Sequence, residues 1–576
     1  MDIETMTVLI RNFILLGYGD MFNERKYDMI GTTNDQKTLV IHSYSFDYNK
    51  YEEVFKRKFD LPIYSCTPGN FTGNGRTSLF VTFVDNDVFI NKLIEFTIEK
   101  HTILKSQIIG EEESAYPPMS ITDYETTMPA IVIADKEGNV KIVKYDINKK
   151  TMVSYVIIDS DGILYENHPY SFVDLDGDLK AELVTVTVEN DKKFLNVYKY
   201  ESNGYRKNFT FDLPEGELGP IVFGDFTNKG VNSMLFINVS KNNEYFINLY
   251  INNLDRYPIE HYKKNIYSVD CVTSTTNPFR IFTDSSSTHI KTSFNDLSPG
   301  LFPVLKLHLS GFDESKKIPG GIFTTDIDND GNIEFFVTVQ NENARTSVLP
   351  LRLNKNMDKF LILGGTNLKE IENVKSFSTI DYDNRGKENI IINRERDGSN
   401  IVEGYNNKFN DDNMKLSLTA TLKNNTNIPY GMGLPGTTYL LLANHGQYLF
   451  YSSNSGSGPH LNLVSQTALI GLGDSIYMID SLRFGIASIS NDYKGIYVIS
   501  TNIIQNLDLI ISAGAEGNYK VEAFFKIVKY FMKIVYVVLI AGMANVAVWA
   551  IISYNQNKRI KLARTKDSMH PLFRSL

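Results

Sequence analysis

Short apolar segments alternate with polar, turn-forming segments throughout residues 1–409. The clearest unit is an apolar strand, a loop with acidic residues at alternate positions, and a second apolar strand. The two fullest copies occupy residues 172–186 and 325–337, and their loops are called here the 174 loop (residues 174–182) and the 326 loop (residues 326–334). A third copy at residues 380–392 keeps the spacing but replaces two oxygen-bearing positions.

Weaker copies extend this pattern into a repeat. The loops begin at residues 20, 70, 123, 174, 225, 326 and 381, so one unit occupies about 50 residues. The long gap after residue 225 leaves room for one hidden unit around Cys271 to Phe282. A period of this length, filled with alternating strands, is typical of a four-stranded propeller blade. The pattern predicts an all-β fold with a β-propeller over residues 1–409, with seven blades and eight as the alternative.

An uncharged run of 21 residues, 534–554, lies near the C-terminus. Its length matches the roughly 20 apolar residues needed to cross the hydrocarbon core of a bilayer. Lys533 and Lys558 flank it, and the chain's single Trp, Trp549, lies inside it, which excludes a Trp-Asp type of propeller. We predict a transmembrane helix over 534–554, with a buried core helix as the alternative. Basic residues are denser after the run, which places the short tail, 555–576, in the cytoplasm.

The N-terminal residues show no recognisable signal peptide, because Arg11 interrupts the apolar run and no small-residue cleavage site follows. Two explanations stay open. The favoured one is that a leader precedes Met1 in the natural chain, which makes the large part extracellular or luminal. The other is that the apolar run is a tail anchor that leaves this part in the cytoplasm. Sequons compatible with glycosylation, which do not decide the question, are at Asn70, Asn208, Asn238 and Asn424.

Composition narrows the classes of function. Aromatic residues make up 12% of the 576 residues, which favours β structure. The formal net charge of −9 argues against a nucleic-acid-binding surface, which needs clustered Lys and Arg, and suits cations better. The only two cysteines, Cys66 and Cys271, exclude a disulfide framework and a sulfur-based zinc cluster. One bridge between them and two buried free thiols both remain open.

The 174 and 326 loops have the oxygen spacing of a calcium site. Calcium takes six to eight oxygen ligands, and carboxylates at alternate positions of a tight turn point towards one centre. Strands flank these loops and no Glu stands at position twelve, which distinguishes them from an EF-hand. The predicted ligands are Asp174, Asp176, Asp178, Glu182 and the Lys180 carbonyl in the first loop, and Asp326, Asp328, Asp330, Glu334 and the Asn332 carbonyl in the second.

The remaining loops are weaker candidates for calcium. The loop at 381 keeps Asp381 and Asp383, but Arg385 occupies a ligand position. The loops at 70 and 225 have lost most acidic residues, and the loop at 20 has Phe22 at its third position. Ordinary Asp/Asn/Gly hairpin turns without metal are the alternative interpretation for every loop.

At these residues the sequence resembles the FG-GAP repeats of integrin α chains. Over nearly its whole length it also resembles the T-cell immunomodulatory protein family of membrane-anchored FG-GAP-repeat proteins. The segments outside the repeats that carry this resemblance are 429–436, 468–473 and 482–486, followed by the apolar run. The resemblance implies an extracellular or luminal propeller, a β-sandwich-like juxtamembrane domain over residues 410–525, and a role in cell adhesion or cell-surface signalling of an immunomodulatory kind. The chain departs from the family in lacking a visible leader and in its degraded loops.

Motifs of catalysis are absent from the sequence: there is no H-E-x-x-H, no G-x-S-x-G and no Walker loop, and the Gly-x-Gly at 471–473 lacks the third glycine of a dinucleotide fingerprint. We therefore predict a non-enzymatic protein that binds a protein partner at its propeller surface. The alternatives are a tail-anchored cytoplasmic scaffold and a carbohydrate-binding or hydrolytic propeller with convergent carboxylates at one ring face.

Overall fold

The computed structural model describes residues 4–569 except for 46, 87, 100, 161, 202–203, 255–281, 283–287, 308–317, 320, 365–367, 383–387, 408–413, 423–431, 445–446, 455–462, 464–466, 474–478, 490–494, 500–502, 515–517 and 526–528. These residues form two compact units, Met1–Phe525 and Lys526–Leu576. The first unit is built from β-sheets and the second contains one long helix.

Seven antiparallel sheets, called sheets 1 to 7 in chain order, contain most of the described strands in residues 4–406. The first strand, β1 (Glu4–Arg11), belongs to the last of them. Sheet 1 consists of β2 (Phe13–Gly19), β3 (Asp28–Thr33), β4 (Thr38–Ser45) and β5 (Lys50–Lys58). Sheet 2 consists of β6 (Ile63–Gly69), β7 (Ser78–Asp85), β8 (Val88–Glu99) and β9 (Thr102–Ser114). Sheet 3 consists of β10 (Met119–Thr122), β11 (Pro129–Ala134), β12 (Val140–Asp146) and β13 (Thr151–Ile158).

Sheets 4 to 6 each carry an additional short strand. Sheet 4 consists of β14 (Ile163–Leu164), β15 (Tyr170–Val173), β16 (Glu182–Glu189), β17 (Lys192–Glu201) and β18 (Gly204–Asp212). Sheet 5 consists of β19 (Glu217–Leu218), β20 (Val222–Gly224), β21 (Ser233–Val239), β22 (Tyr245–Tyr250) and β23 (His289–Ser293), which is followed by the short helix α1 (Phe294–Leu297). The next strands in the chain are β24 (Leu301–Pro303), β25 (Lys306–Leu307) and β26 (Ile318–Pro319), and the last two form a separate two-stranded ribbon. They are followed by β27 (Ile322–Thr325), β28 (Glu334–Asn341), β29 (Thr346–Leu353) and β30 (Phe360–Ile362). Sheet 6 contains β24 and β27 to β30.

Sheet 7 joins the two ends of this region. After a 3-10 turn at Leu368–Glu370 it contains β31 (Val374–Ile380), β32 (Asn389–Arg396) and β33 (Ser399–Asn406). Its fourth strand is β1, which pairs antiparallel with β33. The N-terminal strand therefore completes the sheet made by the last strands of the region.

Tight hairpins connect the strands of these sheets. Between β16 and β17, for example, Asn190 and Asp191 both have positive φ angles, 49° and 63°. Two consecutive residues with positive φ form the hairpin turn whose twist matches that of the paired strands, and Asn and Asp tolerate this conformation better than most residues. The polar segments between apolar runs therefore act as the predicted turns.

Each sheet shares a cluster of buried apolar side chains with the next. Val184 of sheet 4 and Phe236 of sheet 5 belong to one such cluster. Further clusters join sheets 1 and 2, 2 and 3, 3 and 4, 5 and 6, and 6 and 7. A last cluster joins sheet 7 to sheet 1 through Val402 and Phe13. Burial of both faces explains why inner strands such as β7 and β11 are nearly continuous apolar runs, whereas outer strands such as β5 and β9 carry many exposed polar residues.

Eight further strands follow sheet 7: β34 (Met414–Leu422), β35 (Thr438–Ala443), β36 (Tyr448–Ser453), β37 (Ala468–Gly473), β38 (Ile479–Gly485), β39 (Ile496–Ile499), β40 (Leu507–Ala513) and β41 (Tyr519–Phe525). They form two four-stranded sheets, in the orders β37-β34-β40-β41 and β36-β35-β38-β39. The pair β34–β40 is parallel. The two sheets share one core that includes Leu418, Leu441 and Leu509. We call this pair of sheets the sandwich.

The second unit contains α2 (Lys529–Met569). Within it, Tyr536–Leu562 is long and apolar enough to cross a membrane, and none of its apolar window is buried by other parts of the chain. The helix continues beyond the predicted span of 534–554. This single C-terminal apolar helix fits a single-pass membrane protein, and the β-rich fold of four-stranded sheets is also confirmed.

Candidate metal centres

The 174 and 326 loops occupy the same position in two sheets. The 174 loop joins β15 to β16, and Val173 pairs with Glu182 across it. The 326 loop joins β27 to β28, and Thr325 pairs with Glu334 in the same way. Sheets 1, 2, 5 and 7 repeat this register, with residues 19, 69, 224 and 380 opposite residues 28, 78, 233 and 389. One strand register therefore gives six loops the same length.

Backbone N–H groups bind the first and last carboxylates of each acidic loop. Asp174 accepts hydrogen bonds from the N–H groups of Gly177 (2.7 Å) and Leu179 (3.0 Å). Glu182 accepts one from the N–H of Leu175 (2.7 Å). The 326 loop repeats the arrangement, with the N–H groups of Asp330 and Gly331 bound to Asp326 and that of Ile327 bound to Glu334. These bonds shape the loops by the local side-chain-to-backbone bonding typical of Asp turns, and they need no ion.

The same loops bring three carboxylates to one point. Ligand oxygens of Asp174, Asp176 and Glu182 lie within 4.8 Å of one another, as do those of Asp326, Asp328 and Glu334. Glu182 is only 1% exposed, and its Oε1 atom is buried without a hydrogen-bond partner. A buried carboxylate oxygen without a partner costs free energy unless a cation or donor reaches it. The residues present thus fit a metal ion, and the two clusters could each hold one.

Electrostatics in both clusters favours an added positive charge. Burial, followed by the neighbouring carboxylates, raises the pKa of Glu182 well above its usual value and raises that of Asp176 to about 6. In the 326 loop the same causes raise the pKa of Asp326 and Glu334 well above their usual values and that of Asp328 to about 6. Buried like charges oppose one another's ionisation, and a cation between them would reverse that effect.

A basic residue on the third strand of the sheet faces the acidic loops, and sequence reasoning missed it. Lys199 on β17 donates to Asp178 Oδ2 at 2.7 Å and also contacts Asp176. Arg352 occupies the matching place on β29, and its charge offsets a small part of the rise in the pKa of Asp328, which burial causes first and Asp330 next. Lys144 in sheet 3 binds the Asp123 carboxylate at 2.8 Å. Because the hairpins between second and third strands differ in length, no fixed spacing in the sequence signals these residues.

The other predicted ligands have different surroundings. Asp178 and Asp330 lie outside the three-carboxylate groups, and each accepts a hydrogen bond from the N–H two residues later, at 2.8 Å and 2.7 Å. Lys180 forms an isolated antiparallel bridge with Thr437 of the sandwich. The Asn332 side chain bonds to Asp330 and Asn228. Asp381 is buried, and Asp383 lies outside the described residues.

The predicted glycosylation sites also differ in their surroundings. Asn70 belongs to its loop, where its Oδ1 accepts the Gly75 N–H at 3.2 Å, and Asn208 lies half-buried on β18. Asn238 is 2% exposed, and its amide bonds to Asn248 and to the Glu215 carbonyl. Attachment of a glycan at Nδ2 is incompatible with that packing in the folded chain. Asn424 lies outside the described residues.

Of the two cysteines, only Cys66 lies within the described residues. Cys66 is a free, buried thiol on β6, and burial raises its pKa. A buried thiol with a raised pKa is chemically inert. Cys271 lies outside the described residues, as does nearly all of the segment where a hidden repeat was predicted.

Comparison with known proteins does not assign the chain to a family. No protein-family model matches the chain, and a search of the curated proteins finds no significant match. The function of the acidic loops therefore follows from their ligand atoms and their place in the fold. All the donors are oxygens, which indicates a hard cation and not a metal that prefers nitrogen or sulfur.

Proposed function

We propose that the chain is a single-pass membrane protein whose N-terminal β-propeller holds calcium in two blade loops and binds a protein partner at its surface. The observation that carries the proposal is the pair of acidic clusters at equivalent positions in sheets 4 and 6. Two independent turns would have no reason to gather three carboxylates at the same point of the same register. A shared cation-binding role gives that reason.

The propeller would have seven blades, one for each of sheets 1 to 7. Pairing of β1 with β33 and the apolar cluster between sheets 7 and 1 support a closed ring. The long gap between the loops at 225 and 326 is accounted for by the connection between β22 and β23, which pair directly within sheet 5. Among the described residues of that gap there is no further four-stranded sheet, only the two-stranded ribbon of β25 and β26. This favours seven blades over eight.

Calcium is the ion that best fits the two clusters. Three carboxylates with nearby loop carbonyls and water can supply its six to eight oxygens, in the irregular geometry that calcium accepts. Magnesium demands a near-ideal octahedron and keeps more of its water. Zinc sites in proteins are built mainly from Cys and His, with carboxylates as additional ligands, and no His or Cys belongs to either cluster.

Protein binding is the role proposed for the propeller surface. The sequence contains no recognised catalytic motif, and blade loops vary freely while the sheets hold them rigid. The resemblance to the membrane-anchored FG-GAP-repeat family points in the same direction, towards adhesion or cell-surface signalling with the propeller outside the cell or in a lumen. The greater density of basic residues after the apolar run supports that orientation.

Calcium binding is tested on the full chain in nanodiscs by calorimetric titration and thermal unfolding. We expect calcium at about 100 times its Kd to stabilise the protein by about 2.7 kcal/mol per site. Glu182→Gln and Glu334→Gln should each remove one site, since Gln keeps the loop's hydrogen bond but not the charge. The matched control is Glu244→Gln, at an exposed position in the turn between β21 and β22 of sheet 5. Unchanged melting in calcium and in chelator would overturn the calcium assignment.

Orientation is tested on protein made in eukaryotic cells. An extracellular or luminal propeller should shift in mobility after glycosidase treatment. An extracellular propeller should be cleaved by protease added to intact cells, whereas a luminal propeller should be protected in intact cells and in sealed microsomes. A chain with no mobility shift and with protease access only after the plasma membrane is permeabilised would instead be a tail-anchored cytoplasmic scaffold.

A further inference from the structure

The sandwich rests on the loops that carry the acidic clusters. Tyr451 on β36 donates its hydroxyl to Asp174 Oδ2 at 3.3 Å. The N–H of Gly473, at the end of β37, donates to the Asn329 carbonyl in the 326 loop at 2.7 Å. The sandwich also touches loops of sheets 3 and 5, so the junction is broad. Its contacts with the 174 and 326 loops, however, are made directly to their carboxylates and backbone.

Glycines in the sandwich allow this close approach. A methyl group at Gly471 would overlap the Asp326 carboxylate and the Asn329 backbone. A methyl group at Gly485 would overlap the Leu179 carbonyl of the 174 loop. Gly436 has a positive φ, and a methyl group there would overlap Phe172 on β15 and crowd Ala181 in the 174 loop. At these three points the sandwich backbone fits the loop with no space for a side chain, so a small change in loop shape would break the fit.

The shape of the 326 loop depends on balancing its charges. Asp326, Asp328 and Glu334 are within 4.8 Å of one another, and two of them are nearly fully buried. Three ionised carboxylates at that distance repel one another, and a divalent cation converts the repulsion into shared coordination. Glu182 in the 174 loop adds a buried oxygen that has no hydrogen-bond partner. An ion would therefore hold both loops in the conformation that the glycines fit.

A cavity lined by both apolar and polar residues lies at the same junction. Its volume is about 170 Å³, and its lining includes Asp326 and Thr325 from sheet 6, Glu388 from sheet 7, and Tyr451 and Gly471 from the sandwich. A space of this size holds several water molecules. It could supply water to complete the coordination of an ion at Asp326, at the point where sheets and sandwich meet.

We propose that cation binding in the 326 and 174 loops and docking of the sandwich onto the blade sheets are coupled, so that the ion fastens the propeller to the sandwich. The inference rests on the proposed cation binding and adds its consequence for the junction. Coupling of this kind is reciprocal: an ion that strengthens docking is itself bound more tightly when the sandwich is docked.

The direct test measures amide hydrogen exchange in the full wild-type chain in nanodiscs, with calcium or with chelator. The Gly473 amide reports the junction, because its N–H bonds across it to Asn329. We expect calcium to slow exchange in the peptide covering 468–473 by roughly tenfold, a typical coupling. The peptide covering β40, in the sandwich core, should change little. Calcium that binds without slowing exchange at 468–473 overturns the coupling and leaves the proposed function intact, whereas absence of binding overturns the proposed function.

Reciprocity is tested with a substitution outside the ligands. Gly471→Ala should weaken calcium binding by roughly tenfold because the added methyl group displaces the sandwich from Asp326. The matched control is Gly321→Ala in the same sheet as the 326 loop, where the added methyl group would meet only Thr338 Oγ1 at 3.9 Å. Equal calcium affinity in Gly471→Ala and Gly321→Ala would refute the coupling. If Gly471→Ala fails to fold, the exchange measurement on the wild-type chain still decides.

Discussion

Lys199 is predicted to compete with calcium for the 174 loop. Its ammonium group donates to Asp178 Oδ2 at 2.7 Å and contacts Asp176, which belongs to the three-carboxylate group that would bind the ion. When calcium enters, these contacts must weaken. We therefore expect Lys199→Met to increase the affinity of this loop for calcium while making the calcium-free chain less stable.

The magnitude follows from the surroundings of Lys199. Well-buried hydrogen bonds to charged groups contribute about 1.5–3 kcal/mol each. The Lys199 side chain is 35% exposed, so solvent screening reduces the sum of its two contacts to about 1–2 kcal/mol. Since 1.4 kcal/mol is a factor of ten, the affinity should rise by roughly tenfold. The charge of Arg352 is a minor influence on the pKa of Asp328 in the 326 loop, so Arg352→Met should have a smaller effect.

The assay isolates the 174 loop by using a Glu334→Gln background. Calorimetric titration then compares Lys199→Met with Lys192→Met, which removes the same charge from an exposed position on the same strand. Lys192→Met should leave the affinity unchanged. Equal or weaker calcium binding in Lys199→Met would show that the lysine does not occupy the ion's place, and the competition would have to be abandoned.

Three other predictions concern stability. Burial lowers the pKa of His42 to about 4, below its unfolded value near 6.5, so the contribution of His42 to the free energy of unfolding should fall by about 2 kcal/mol between pH 7 and pH 5. This fall is measured as the difference in urea unfolding between wild type and His42→Asn at the two pH values. Equal pH slopes in the two proteins would contradict it. Arg394 donates to both oxygens of the fully buried Glu403, so Arg394→Met should lower the free energy of unfolding by about 3–5 kcal/mol. The double variant with Glu403→Leu should recover most of this loss, because no unpaired buried charge remains. Additive losses would argue against a buried pair. Leu441→Ala in the sandwich core should cost about 3 kcal/mol in chemical unfolding, and a cost below 1 kcal/mol would contradict its burial.

The register of the loops could be anticipated from the sequence. Apolar residues on both sides of a loop of constant length require the same pairing, and the structure pairs Thr325 with Glu334 as it pairs Val173 with Glu182. The position-nine carboxylate was expected as an ion ligand only. It also binds the N–H at position two, a role that becomes visible only when the backbone is in place.

Contacts between distant segments could not be anticipated. Tyr451 reaches Asp174 across 277 positions of the chain, and nothing in the sequence near either residue indicates the other. In the sequence Gly471 belongs to an incomplete dinucleotide pattern and to the segment 468–473 that carries the family resemblance, and neither indicates the approach of Asp326 that requires a glycine there. Asn238 satisfies the sequon, but its burial depends on the partner strands of sheet 5. Local pattern predicts elements and loops, whereas junctions depend on how the elements pack.

Some loops have lost acidic residues without losing their shape. Asp225 holds the N–H groups of Lys229 and Gly230 as Asp174 holds those of its own loop, although Lys229 replaces an acidic residue there. In sheet 3, Lys144 sits against Asp123 and supplies the positive charge from within the chain. The hydrogen-bonded turn is thus enough to connect two strands, and the full set of carboxylates is needed only for an additional task. That the full sets occur where Gly471 and Gly485 press on the 326 and 174 loops makes the junction with the sandwich the natural place to look for that task.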